Sequence, residues 1–127
     1  MVTGIEHIAI ASPDPLKLAR WYVDHLDFVI NYQAPNSPTV FVRAPDRSMM
    51  EIIEATAPAP APPAMRDPGL RHIAIAVTGL REVYARLQAA GVSFLTAPDN
   101  LGGVTVAFFR DCDGNILHLL ERETPLP

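Results

Sequence analysis

At 127 residues the chain makes one domain, or two small halves sharing one core, and 49% apolar residues suffice for a packed interior. A formal charge of −4 and a pI near 5.4 leave no basic stripe for phosphates, so nucleic acid is not an expected partner. No apolar run approaches the roughly 18–20 residues of a membrane span. The opening Met-Val-Thr-Gly-Ile-Glu lacks the basic and apolar regions of a signal peptide, and the single Cys112 cannot close an internal disulfide, so a cytoplasmic protein is expected.

The first strand is expected over 4–11, with Ile8 and Ile10 on one face and His7, Ala9 and Ala11 on the other. Ser12-Pro13-Asp14-Pro15 opens a helix that runs to about His25. Either Ser12 or Asp14 serves as cap, and Pro15 suits the first turn. Leu16, Ala19, Val23 and Leu26 lie at helical spacing and define the expected core stripe, flanked by Trp21 and Tyr22. Strands are expected over 28–33, 39–43 and 48–55, separated by Ala34 to Pro38 and by Pro45-Asp46-Arg47.

The low-complexity run Ala57 to Ala64 alternates alanine with proline, so it can be neither helix nor central strand. An extended, polyproline-like connector over 57–69 is expected, between a first module at 1–56 and a second at 70–127. The second module repeats the plan with a strand over 70–77, a helix over 80–90 ended by Gly91, and strands over 92–95, 103–110 and 116–122. Asp111-Cys112-Asp113-Gly114-Asn115 reads as a tight turn.

The two modules share a phrase. Residues 6–11 read Glu-His-Ile-Ala-Ile-Ala and residues 71–76 read Arg-His-Ile-Ala-Ile-Ala, which sets His7 and His72 65 residues apart. Neither strand–helix–three-strand unit could bury both its helix and its sheet face alone, so a shared core is expected. Alternation places a histidine at the end of an alanine face in each first strand, with Ile8, Ile10, Ile73, Ile75 and Val77 under the helices. The last strands offer Glu51 or Glu54, and His118 or Glu121, each pair of opposite parity. Matching the modules pairs Glu51 with His118, 67 residues apart.

Imidazoles and carboxylate converging on a hollow lined by Ala9, Ala11, Ala74, Ala76, Ile53 and Leu120 suit Zn²⁺, Fe²⁺, Ni²⁺, Mn²⁺ or Co²⁺. A lone strand histidine is ordinarily a satisfied core or edge residue; the repetition is what sets these apart. His25 falls outside the pattern, and Cys112, between two aspartates, is a poor nucleophile. There is no glycine-rich phosphate loop and no nucleophile elbow.

These residues resemble the vicinal oxygen chelate superfamily of glyoxalases, extradiol dioxygenases, epimerases and fosfomycin and bleomycin resistance proteins. The resemblance rests on His-Ile-Ala-Ile-Ala in both halves, on Arg20 to Phe28, on Met50-Glu51-Ile52 and on Asp111 to Asn115. It implies an α+β fold of two βαβββ modules forming an open eight-stranded, mixed, barrel-like sheet with helices outside. The family's four metal positions fall on His7, Glu51, His72 and His118. The last usually holds glutamate; Glu121 lies on the opposite face by parity and does not replace it. Asp27 stands where the family usually has glycine.

The resemblance further implies a metal-dependent, glyoxalase-like isomerase, epimerase or lyase. Such an enzyme binds a small substrate through adjacent oxygens and stabilises an enolate-like intermediate, with Glu51 also available as a base. An Fe²⁺ extradiol-type dioxygenase and a non-enzymatic binding protein of the bleomycin-resistance type are the alternatives. A homodimer is expected, with modules held within a chain or exchanged between chains.

Overall fold

The computed structural model describes residues 1–61 and 64–127. The chain divides into two compact units, Met1–Ala61 and Pro62–Pro127. The first contains β1 (His7–Ser12), α1 (Pro15–Leu26), β2 (Val29–Gln33), β3 (Val40–Arg43) and β4 (Met49–Glu54). The second contains β5 (Ile73–Ala76), α2 (Leu80–Ala89), β6 (Asp99–Asn100), β7 (Val104–Arg110) and β8 (Ile116–Arg122). Each unit is βαβββ, and the fold is α+β, as the sequence indicates. The strands hydrogen-bond as two mixed sheets of four, ordered β1-β4-β3-β2 and β5-β8-β7-β6, with only the first pair in each parallel.

In the first unit α1 packs across the sheet, most closely on β3. Val40, Val42, Met50 and Ile52 face it and are buried. Ile8 and Ile10 pair with Met50 and Ile52, so they share that face as their parity requires. Ile8 nonetheless stays 38% exposed, because β1 is an edge strand. In the second unit α2 packs on β7 and β8, over Ala107, Phe109, Leu117 and Leu119, which are fully buried.

The core stripe of α1 differs from expectation. Pro15, Leu18, Ala19, Tyr22 and Leu26 are buried, whereas Leu16 is only partly covered and Val23 is 37% exposed. Both stripes satisfy helical spacing. The observed one wins because it buries the Tyr22 ring completely, against Phe28 at 5.4 Å between ring centroids. Asp14 is the N-cap, accepting from the Lys17 N–H at 3.1 Å, while buried Ser12 accepts from the Asp14 N–H through its hydroxyl. Asp27 closes the helix in the left-handed region at φ 60, an uncommon conformation that aspartate tolerates better than most residues.

The expected strand at 92–95 is also revised. Phe94 makes an isolated bridge to Phe109, and the strand that completes the sheet lies at Asp99–Asn100. Leu95 and Thr96 both donate to the Phe108 carbonyl, and the Phe108 N–H turns to the Thr96 hydroxyl at 2.9 Å. One side chain has replaced a ladder bond, so regular pairing stops there. β5 is likewise shorter than 70–77 and begins one residue after His72.

Of the connector expected over 57–69, residues 62 and 63 lie outside the described residues. Residues 64–67 form a turn rather than extended chain, with mutual bonds between Ala64 and Asp67. The Arg71 guanidinium gathers the carbonyls of Ala64, Pro68 and Gly69. The turn 111–115 forms as expected around buried Asp111, whose carboxylate accepts from the Asp113 and Asn115 N–H groups and the Asn115 amide, with Gly114 at φ 89.

α2 has no side-chain cap of its own. Glu121, on the helix face of β8, accepts from the N–H groups of Gly79 at 2.7 Å and Leu80 at 3.1 Å. These bonds hold its carboxyl below the usual range, the Leu80 contact most strongly and Gly79 next, with slight opposition from burial. A lowered folded-state value means that the contribution to stability is present above the ordinary carboxylate range and is lost as pH falls through the lowered value. Glu121→Ala is therefore expected to lower the urea midpoint at pH 7, and the gap from wild type should close in acid. Metal binding should be unaffected.

Candidate metal-binding half-sites

The open face of each sheet, opposite its helix, carries the candidate donors at matched register. In the first unit Ala9 pairs with Glu51, and His7 lies two residues earlier on the same face. In the second Ala74 pairs with His118, and His72 lies two residues before Ala74. The third partners also match: Phe41 pairs with Glu51 and Phe108 with His118. Alternation across both sheets thus sets a histidine, an alanine, an aromatic ring and a last-strand donor in equivalent places.

The two half-sites differ in electrostatics. His7 Nε2 lies 3.2 Å from Oε2 of Glu51, and its Nδ1 meets the Glu6 carboxylate. The bond to Glu6 raises the proton affinity of His7, burial opposes it, and the charges of Glu6 and Glu51 add to the rise. The ring stands edge-on to Phe41 at 5.4 Å, and Tyr32 extends this aromatic row.

His118 is in the opposite condition. It is 7% exposed, packed between Phe108 and His72 with ring centroids 4.7 and 4.5 Å away. Among the described residues neither of its buried ring nitrogens has a hydrogen-bond partner. Burial first, then the charges of His72 and Arg122, push its proton affinity down. A buried polar atom left unpaired costs free energy, so an unpaired imidazole with its lone pair free is suited to a metal ion.

The donor chemistry of each pair, His7 with Glu51 and His72 with His118, suits a divalent first-row ion. Among the described residues no three His, Cys, Asp or Glu side chains gather closely enough to hold an ion by themselves. Glu54 and Glu121 fall on the helix side of their strands by parity, and Glu121 is engaged by α2. His25 packs on Trp21 within α1 at 5.0 Å. Phe41 and Phe108 were not singled out from the sequence; their spacing of 67, the same as that of Glu51 and His118, was the signal.

Residues 4–119 match the family model for the Glyoxalase/Bleomycin resistance protein/Dioxygenase superfamily, and the chain belongs to that superfamily. Over 54 residues it is 35% identical to the uncharacterized protein YurT of Bacillus subtilis (strain 168), a match spanning 42% of each protein. The fold is similar to a glyoxylase/bleomycin resistance protein/dioxygenase domain from Frankia sp. EAN1pec. There the TM-score is 0.78 and the identity 24%, over 99% of this chain and 96% of that one. It is similar to TnmS3, an antibiotic binding protein from Streptomyces sp. CB03234, with TM-score 0.76 and 19% identity over 96% and 98% of the chains. Lactoylglutathione lyase from Agrobacterium tumefaciens gives TM-score 0.70 and 19% identity over 94% of each chain. At these identities the structures speak for the fold alone.

Proposed function

We propose that the protein is a metal-dependent lyase, isomerase or epimerase acting on a small substrate with adjacent oxygens, its ion held by His7, Glu51, His72 and His118. The observation that carries this reading is His118, whose two buried nitrogens have no partner among the described residues. When bound, the ion supplies Lewis acidity that stabilises negative charge developing on a substrate oxygen.

The chain's own residues do the rest. Glu6 holds the His7 ring through Nδ1 and leaves Nε2 toward Glu51. Glu51 is the carboxylate placed to take a proton from substrate carbon, since Glu54 and Glu121 lie on the other side of their strands. Phe41 stands edge-on to His7, and Phe108 packs against His118.

This reading is preferred to an Fe²⁺ dioxygenase, whose site is two histidines and one carboxylate, because the last position here carries His118 in place of that carboxylate. Metal-free sequestration of a flat ligand is the second reading, favoured by a row in which half-buried Phe41 lies between exposed Tyr32 and His7.

Elemental analysis of untagged protein after incubation with Ni²⁺, Zn²⁺, Mn²⁺ and Fe²⁺ is expected to find about one ion per chain. His118→Glu should retain it and His25→Ala should not disturb it. Absence of metal above background would leave the sequestration reading. Oxygen uptake with catechols would point to the dioxygenase.

A further inference from the structure

Arg43 and Arg110 occupy equivalent positions, each ending the third strand of its unit on the open face, two residues after Phe41 or Phe108. Their surroundings differ. Arg110 donates to the Gly114 carbonyl at 2.8 Å and is engaged by its own turn. The turn after Arg43 is Ala-Pro-Asp-Arg-Ser, and its carboxylate, Asp46, is occupied by the N–H and hydroxyl of Ser48. Arg43 is half-buried, yet among the described residues it meets no carboxylate, carbonyl or aromatic ring.

Its row across the sheet is Val29, Arg43, Met49, His7. The neighbours on either side are uncharged, and His7 is two strands away, about 10 Å between backbones at the usual spacing. Glu51, the carboxylate in the next row, is held by His7. A guanidinium is a planar fork of five donors that matches a carboxylate in two bonds. Left unpaired beside Val29, Met49 and Phe41, with Glu51 of the same face turned to His7, it lacks an anion.

We infer that Arg43 binds a carboxylate of the substrate, and that the substrate class is small organic acids whose carboxylate lies a few atoms beyond the adjacent oxygens. The inference rests on the metal-site reading for where those oxygens sit. The guanidinium side of it rests on the first unit alone.

The test compares two probes on metal-incubated protein by calorimetry. 2-Oxoglutarate carries adjacent oxygens and a distal carboxylate; 2-oxopentanoate carries the first without the second. Wild type is expected to bind 2-oxoglutarate about tenfold tighter or more, the usual worth of a charge-assisted pair. Arg43→Gln should abolish that preference, Arg43→Lys should keep part of it, and Arg110→Gln should keep all of it. Affinity for Zn²⁺ alone should be the same in wild type and both Arg43 variants. Equal binding of the two acids by wild type, no binding of either, or a preference that survives Arg43→Gln overturns the assignment. An Arg43-dependent preference in protein that takes up no metal upholds the assignment and removes only the metal-site reading.

Discussion

Replacing His118 with leucine is expected to abolish metal binding while making the metal-free protein more stable, by about 1–3 kcal/mol, the usual cost of a buried unpaired polar group. Both nitrogens of His118 are buried without partners among the described residues, and leucine fills a similar volume without polar atoms. The pH dependence separates the cause further. Because burial lowers the proton affinity of His118 in the folded state, the unfolded chain takes up a proton first. Stability is then complete above about pH 6.5 and falls as pH drops from there through the lowered folded value. His118→Leu should flatten that limb of the profile. Urea titrations of metal-free wild type and variant between pH 5 and 8 decide the matter. A loss of stability in the variant would make His118 an ordinary structural residue and weaken its place among the metal donors.

On the proposed donor set, His7→Ala and His72→Ala are each expected to reduce metal affinity by roughly a hundredfold or more, since each would remove a ligand of the ion. For a homodimer, mixing the two variants also tests module exchange. If donors from two chains share an ion, the mixed dimer carries one site with both lesions and one with neither, so each mixed dimer regains one intact site. If one chain supplies all four donors, every site keeps a lesion and nothing returns. Sedimentation equilibrium at micromolar concentration checks the dimer itself, and a monomer mass would refute it. Loss of metal in Glu121→Ala with retention in His118→Ala would overturn the donor assignment. That outcome is not expected, because Glu121 is occupied by the Gly79 and Leu80 N–H groups.

Much of the fold was legible because it depends on local periodicity and on repetition. A two-residue alternation is a steric property of any strand, so the faces carrying His7, Ala9 and Glu51, and His72, Ala74 and His118, could be assigned before their strands were paired. The strand registers agree with that parity. The repeated His-Ile-Ala-Ile-Ala phrase set the two-module plan, the turn at 111–115 followed from its residue types, and family membership followed from the motifs together.

Tertiary structure decided what depends on who packs against whom. Two stripes of α1 had helical spacing, and only the packing of Tyr22 on Phe28 selected one. The strand expected at 92–95 lost its ladder to the Thr96 hydroxyl, a competitor that periodicity cannot weigh. The same reason applies to the candidate site. Sequence placed Glu121 off the donor face but could not show that it caps α2 from 41 residues away. Nor could it show that His118 is left without partners, or that Arg110 is held by Gly114 while Arg43 is not. Parity is a property of one strand; the partner of a polar atom is a property of every segment that folds against it.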